Sequence, residues 1–486
     1  MSLTLAYEIA RGGLMANSTL TSVVSRNIAN VDNPNAARKS AATIGTAMGV
    51  RLGSIGNAIA TSLLDSVLTN TSKVGELGAI TAALDRLSSS INDPALGISP
   101  SAMLAKMQSA LSAAAAEPNN EVLQRGVLQA ASDVATTLNS SATLVLDVRK
   151  DANTEIASSV QQLETLLSNF ERVNQSIVSG TILGRDVTDQ IDERNGILRE
   201  MSGLIDIQST TRTNNDMVLF AANGTTLFET VPRKIGFENI ALSPGQPGGR
   251  LTIDGVTFSG TGATQLGGKI GGLLQVRDEI TLTFGSQIDE IARGLIEVFA
   301  ESDQSVVPVL ADVAGLFTYD GGPGLPASGV VTNGLALSIR VNPNADPAQG
   351  GSLATIRDGG IGGDPSYVYN LSGGTGYSDR LRDLASLLSE TQAFDPGAGL
   401  SSATSVLGFA STSAGWLEGR RSDAQGRLDA GQVLGERAMS AWQGQIGVNL
   451  DEEMTSLMSL ERSYQASARL IATVDQMFAA LFKATE

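Results

Sequence analysis

The chain has 486 residues, 42% of them hydrophobic but only 4% aromatic, so about two to four domains must build their cores mainly from Leu, Ile, Val and Ala. It carries 33 basic and 50 acidic residues, a formal charge of -17, which argues against nucleic acid or an anionic membrane surface as the main partner. With neither cysteine nor histidine it can hold no disulfide, thiol nucleophile, His-dependent triad or Cys/His zinc site.

The first residues, Met1-Ser2-Leu3-Thr4-Leu5-Ala6-Tyr7-Glu8, lack a basic start and an apolar run, so no cleavable secretory signal is expected. Leu3, Tyr7, Ala10 and Leu14, then Val24, Ile28 and Val31, follow the four-and-three spacing of an amphipathic helix. Polar Asn17 and Thr21 and the pair Gly12-Gly13 weaken its middle, and Asp32-Asn33-Pro34-Asn35 ends it. Arg38 to Asn57 is small, polar and dotted with glycine, and reads as extended or irregular.

From Ala58 to Asp206 the pattern is helical. A stripe through Ile59, Leu63, Val67, Val74, Leu77, Ile80, Leu84 and Leu87 ends at Ile91-Asn92-Asp93-Pro94. A second helix runs from Pro100 to Glu117, and a very long third one from Glu121 towards Val178, broken at Gly180 and Gly184. Helix resumes from Val187 to Leu204. Short apolar runs then alternate with turn residues between Ile205 and Gly268, and Asn223-Gly224 and Asp254-Gly255 each separate two such runs, which predicts hairpins. Helix returns from Gly272 to Ala300, and a Gly/Pro-rich, partly stranded segment covers Gln304 to Tyr377. Helices over Leu381–Phe394 and Ala403–Leu434 precede the last one.

That last helix carries the strongest pattern. Leu450, Leu457, Tyr464, Ile471 and Phe478 recur in sevens, and Met454, Leu460, Val474 and Leu481 widen the stripe. Thr455, Arg462, Arg469, Gln476 and Lys483 form a polar row opposite it. The helix would be a rod of roughly 50 Å with one sticky face. The simplest partner for it is the helix at the other end of the chain.

The acidic clusters Asp189/Asp192/Glu193 and Asp451/Glu452/Glu453 are the one enzymatic temptation, as acid/base pairs or Mg²⁺ or Ca²⁺ ligands. The plainer reading is stronger: Asp192 has Arg194 nearby, and the second cluster opens a helix, where negative charge complements the dipole. Gly267-Gly268-Lys269 lacks the spacing of a phosphate loop. No catalytic residue, cofactor or metal site is expected.

Three passages carry a family likeness. Ser25-Arg26-Asn27-Ile28-Ala29-Asn30-Val31-Asp32-Asn33-Pro34 is similar to the N-N-I-A-N-x-x-T-P pattern that closes the first helix of flagellar rod, hook and junction proteins. The passage Asp189 to Ser202, with Asp192 and Arg194, resembles D-L-x-D-Q-R-D-x-L-x-x-L-S. Gly447-Val448-Asn449-Leu450-Asp451-Glu452-Glu453-Met454, continued through Tyr464 to Arg469, resembles G-V-N-L-D-E-E-x-x-x-L-x-x-x-Q-x-x-Y-x-A-x-A-R. A weaker likeness lies in Gly334-Leu335-Ala336-Leu337, Val341-Asn342-Pro343 and Ile356-Arg357-Asp358-Gly359. Together they resemble the FlgK family of hook-associated (hook–filament junction) proteins. The family's Gly-Tyr-Ser-Arg-Gln after the first motif is replaced by Asn35-Ala36-Ala37-Arg38-Lys39, which leaves the geometry after Pro34 open.

The resemblance implies a mainly α, elongated multidomain flagellar axial protein with a β insertion and its terminal helices paired as a coiled coil. The division it suggests is 1–57 plus 435–486 (assembly domain), 58–204 plus 269–303 plus 378–434 (helical bundle), 205–268 (β domain) and 304–377 (Gly/Pro-rich insertion). The expected assembly face is Leu3, Tyr7, Leu14, Val24, Ile28, Leu450, Met454, Leu457, Tyr464, Ile471, Val474, Phe478 and Leu481. It implies a non-enzymatic ring of copies between hook and filament, exported through the flagellar channel to the cell exterior without a cleaved signal. Implied partners are the chain itself, the hook protein, the second junction protein and a cytosolic export chaperone at the C-terminal helix, with no nucleic acid and no membrane insertion. The alternatives are flagellin or the second junction protein, which share paired terminal helices. A secreted adhesin or hydrolase would need a receptor patch or catalytic constellation, and neither is visible.

Overall fold

The computed structural model describes residues 3–46, 49–91, 97–262 and 264–485. Helix α1 (Leu3–Ala29) opens the chain and packs lengthwise on α12 (Leu450–Thr485), which closes it. Between α1 and the body, β1 (Lys39–Thr46) and β2 (Gly49–Asn57) form an antiparallel hairpin laid against α1. The hairpin reads as irregular in sequence because its side chains are small and mostly exposed, so no apolar alternation marks it. Gly49 adopts φ +112°, and a Cβ there would sit 3.2 Å from the Ile9 backbone, so only glycine lets the ribbon lie this close.

The body is built on α4 (Glu121–Ile182), a single helix of 62 residues and therefore about 90 Å long. Its stripe from Val127 through Leu138, Ile156, Leu167 and Phe170 to Val173 is buried. The Asn120 side chain accepts the Val122 N–H at its N-terminus. The helix passes the expected break: Gly180 stays helical because Val187 packs where a Cβ would project, and the turn comes at Gly184, φ +62°. Around α4 lie α2 (Thr61–Ile91), α3 (Pro100–Ala116) and α5 (Thr188–Leu204). The turn read at Asn92-Asp93-Pro94 lies outside the described residues.

Two small antiparallel sheets follow α5. One has the order β3 (Ile207–Thr211), β4 (Met217–Ala221), β5 (Thr226–Glu229), β6 (Val231–Pro232). The other has β7 (Ile235–Phe237), β8 (Leu251–Ile253), β9 (Val256–Phe258). Asn223-Gly224 lies in the β4–β5 turn, and Asp254 and Gly255 both take positive φ between β8 and β9. Phe228 packs edge-on against Phe170 of α4 at 5.0 Å, which fixes the first sheet to the bundle.

Helix α6 (Gly268–Gln275) runs through a π turn at Val276–Ile280 into α7 (Thr281–Val298). The segment that follows is less stranded than its sequence suggests. Its ladders are two-residue pairs, β10 (Phe317–Thr318) with β11 (Arg340–Val341), beside short helices α8 (Leu335–Ser338) and α9 (Ala354–Asp358). Asn342, Asp346 and Asp364 side chains take the backbone N–H groups that a sheet would otherwise pair. A buried ion pair, Arg380 to Glu301 at 2.9 Å, ties α10 (Asp379–Leu387) to the end of α7. The expected helix to Phe394 stops early, and Gln392–Ala393 instead pairs as β12 with β13 (Ala403–Thr404). Helix α11 (Val406–Ile446) runs twelve residues past the expected end at Leu434, passing through Gly435, with Gly431 and Gly435 lying beside Val74 and Asn70 of α2.

One apolar core joins α2 to α7, both sheets and α11, but no side chain of α1 or α12 belongs to it. The terminal pair is therefore attached to the body by other means.

Candidate assembly interface

Three contacts define how α1 meets α12. Gly13 faces Ser467, Asn17 Nδ2 donates to Ser463 Oγ at 2.8 Å, and Asn27 Nδ2 donates to Glu453 Oε2 at 3.1 Å. A step of four or ten residues forward in α1 matches an equal step back in α12, so the helices run antiparallel in a constant register. That register brings Leu3, Tyr7 and Val24 within one residue of the levels of Phe478, Val474 and Leu457. Val24 and Val474 are buried, while Leu3, Tyr7, Leu14, Ile28, Leu457, Ile471 and Phe478 are half-buried.

One row is displaced from the reading of the sequence. Met454 is 45% exposed, and the seam position beside it is taken by Glu453 at 1%. A seam stepping three and four residues passes 450, 453, 457, 460, 464, 467, 471, 474, 478, so a carboxylate and Ser467 occupy places that an apolar count skips. Leu450, Tyr464 and Leu481 lie at the seam edge, roughly half exposed.

Glu453 also accepts Arg38 Nε at 2.7 Å, and Glu452 lies 3.4 Å from the same guanidinium. Next to Arg38, the buried Lys39 ammonium contacts Asp189 and lies 3.7 Å from Asp192. Asn27 binds the Lys39 backbone at both its oxygen and its nitrogen. Arg26 reaches Asp186 at 2.8 Å, Asn57 donates to Asp192 at 2.7 Å, and the Arg38 N–H donates to the Ile446 carbonyl. The first, second and third sequence motifs thus converge on one polar hub, through two residues that the motif comparison set aside. Two adjacent cations straight after the Asn-Pro turn, in a strongly acidic chain, are the signal that could have found them.

Burial pushes the Asp192 carboxyl up to about 6, against the pull of Lys39 and of the Ala37 N–H. Burial also works to raise Asp186, but hydrogen bonds from Thr188 and Arg26 outweigh it and hold that carboxyl below its ordinary range. A cleft of about 390 Å³ opens beside the hub between the turn after α1 and α5, lined by Asn30, Asn33, Lys39, Asp189, Asp192 and Glu200 among others. The joint is polar and beside an open cleft rather than packed with apolar side chains.

Arg194 does not pair with Asp192 as read. It is buried and turned the other way, donating to Asn174 at 3.0 Å and to the Asn215 carbonyl, which locks α5 to α4 and the first sheet. Burial lowers its guanidinium to about 10, opposed by Asp216. Asn449 caps α12 by accepting the Asp451 and Glu452 N–H groups, and Asn30 closes α1 by donating to the Arg26 carbonyl, with Ala29 exposed beside it. Among the described residues, no group of three or more Asp or Glu side chains is arranged to hold a metal ion, and no helix is long and apolar enough to cross a membrane.

Residues 84–307 match the family model of the flagellar hook-associated protein FlgK helical domain, and residues 445–483 that of the flagellar basal body rod FlgEFG protein C-terminal. The chain is 22% identical over 391 residues to flagellar hook-associated protein 1 of Bacillus subtilis (strain 168), covering 74% of this chain and 71% of that protein. Its fold is similar to the flagellar hook junction protein FlgK of Burkholderia pseudomallei, with a TM-score of 0.57 at 13% identity, over 78% of this chain and 99% of that one.

Proposed function

The chain belongs to the FlgK family of flagellar hook-associated proteins, and from that premise we propose that it assembles through its terminal helices into a ring between hook and filament. It is a structural component of the bacterial flagellum, not an enzyme. The finer reading is that α1 and α12 form the assembly domain, with the helical bundle, the β domain and the 304–377 insertion stacked outward from it.

One observation carries this. The α1–α12 seam leaves apolar side chains uncovered on its flanks: Met15 is 59% exposed, Met458 50%, Leu470 59% and Met477 52%. A pair that stands outside the main core and keeps such flanks presents surfaces for neighbouring helices to cover. Copies of the chain supply those neighbours in the ring, the hook protein and the second junction protein cover its two ends, and an export chaperone holds α12 before secretion through the flagellar channel. Immunogold labelling of whole cells tests the reading. Label confined to the hook–filament boundary is the expected result, and label along the filament would make the chain a filament subunit.

A further inference from the structure

The chain holds no cysteine, so thioethers are its only sulfur groups. They are divided by burial. Met107, Met201 and Met217 are buried in the body, and Met103 and Met439 are half-buried against its apolar core. Among the described residues, the methionines that stand roughly half exposed are Met15 of α1 and Met454, Met458 and Met477 of α12. All four belong to the terminal pair. They also avoid its seam, which from Leu450 to Phe478 uses Leu, Glu, Tyr, Ser, Ile and Val side chains besides that Phe. Met454 and Met458 lie one turn apart beside the hub, Met15 lies midway along α1, and Met477 lies near the far end of α12. A thioether therefore stands on the flanks along most of the pair's length.

An unbranched thioether repacks readily against different neighbours, which suits a flank that serves more than one partner. The same sulfur is the group on this chain that a peroxide attacks most readily. One oxygen atom passes from the peroxide to the sulfur: the O–O bond breaks, the S–O bond forms, the sulfur gives up two electrons, and hydrogen peroxide leaves as water. An apolar side chain becomes a polar one that carries a strong hydrogen-bond acceptor. In water the sulfoxide is solvated and costs the fold little. Pressed into an apolar contact that offers no donor, it is penalised. Because the seam contains no methionine, oxidation spares the pairing of α1 with α12 and alters only their outward flanks.

We propose that Met15, Met454, Met458 and Met477 are an oxidation site that gates docking of the terminal pair. As thioethers they let neighbouring subunits cover the flanks, and as sulfoxides, formed by hydrogen peroxide on the unassembled chain, they block that contact. Assembly covers the four sulfurs and protects them, and enzymatic reduction of both sulfoxide epimers restores docking. The inference rests on the reading that these flanks are covered in the ring.

Purified full-length chain is treated with hydrogen peroxide, freed of it, and sedimented with isolated hooks from cells that lack this chain. Peptide mapping by mass spectrometry is expected to find sulfoxide first at the four flank positions, with circular dichroism unchanged and binding to hooks at least about tenfold lower. Sulfoxide reductases for both epimers are expected to restore binding, and lack of recovery overturns the proposal. The chain carrying Met15→Leu, Met454→Leu, Met458→Leu and Met477→Leu, checked for folding by circular dichroism, is expected to bind equally before and after peroxide. Oxidised wild-type chain that binds as well as untreated chain overturns the proposal. So does a quadruple variant that loses binding on oxidation as the wild type does, since the effect then lies in the body. In isolated hook–filament structures the four sulfurs are expected to oxidise at least about tenfold more slowly than in the free chain, and equal rates overturn the proposal. Untreated chain that does not bind hooks is a distinct result, which overturns the ring reading and the inference with it.

Discussion

Glu453→Ala removes the one carboxylate buried in the helical seam. Its partners are Arg38 Nε at 2.7 Å and Asn27 Nδ2 at 3.1 Å. Breaking a fully buried ion pair costs about 3–5 kcal/mol, because the surviving charge is stranded. Arg38 is not stranded here: its side chain is 41% exposed and it keeps Glu452 at 3.4 Å, so water and that neighbour recover part of the loss. Asn27 retains the Lys39 carbonyl at 2.9 Å with the same amide nitrogen. What remains is a charged hydrogen bond, one orphaned amide N–H and a small cavity, together about 2–3 kcal/mol. Because α1 and α12 stand outside the main apolar core, the loss falls on local opening of the pair rather than on global unfolding. At about 1.4 kcal/mol per tenfold, opening rises roughly 30- to 140-fold. Hydrogen exchange read by mass spectrometry should show this in peptides from 3–29 and 450–484, with those from 121–182 unchanged. A change below about threefold, or equal loss in α4, would refute the hub as the pair's attachment.

Leu457→Asp with Ile471→Asp should leave the circular dichroism of the body intact while abolishing incorporation at the hook–filament boundary. Normal incorporation would show that the seam is not needed. Asp192 has its folded-state pKa near 6, above the unfolded value of 3.8, so its contribution is fully present below about pH 4 and is lost as pH rises through 6. At 1.36 kcal/mol per unit this amounts to about 3 kcal/mol, which solvent screening at the partly open hub reduces to about 2 kcal/mol, and Asp192→Asn should flatten that part of the stability profile in urea melts between pH 4 and 7. An unchanged slope would assign the effect elsewhere. Gly268→Ala places a Cβ 2.5 Å from the backbone of Leu204 and Ile205 at φ +71°, and should cost upwards of about 3 kcal/mol in urea unfolding. Gly224→Ala, at φ +86° but facing open space, should cost only about 1 kcal/mol, and equal losses would undo the steric argument.

How much of this was legible in the sequence depended on which force shapes each part. The long stripe of α4, the Asn-Gly and Asp-Gly turns, and the antiparallel sheets were readable because apolar burial and left-handed turns leave periodic or local marks. The β1–β2 hairpin was not, since its small exposed residues gain their order from lying on α1. Nor were the last residues of α11, where the helix continues through Gly435 instead of ending before it. The hub escaped for a different reason. Asn27, Asp189, Asp192 and Glu453 stood out as motif members, but their meeting through Arg38 and Lys39 spans more than 400 residues of chain, and only the fold brings them together. The same counting habit misplaced Met454 for Glu453, because a heptad read for apolar residues passes over a buried charge.

That buried charge explains why the pair has one register. Apolar helices of this kind can slide by a heptad with little loss, since each seam residue finds another apolar neighbour. Here a slide of seven residues would set Glu453 against Leu20 in one direction and carry it beyond the end of α1 in the other. The first leaves a carboxylate buried without a partner, at a penalty of several kcal/mol. The polar layers at Asn17–Ser463 and Asn27–Glu453 therefore add little net stability but penalise every neighbouring register. Arg38 and Lys39 extend the same selection into the body, because they bind Glu453 on one side and Asp189 and Asp192 on the other. The pair is thus held at one register and in one orientation by contacts that water can replace, not by a continuous apolar core. A subunit whose terminal helices must present the same face in every copy of a ring requires the first property. One whose helices are also handed from one partner to the next requires the second.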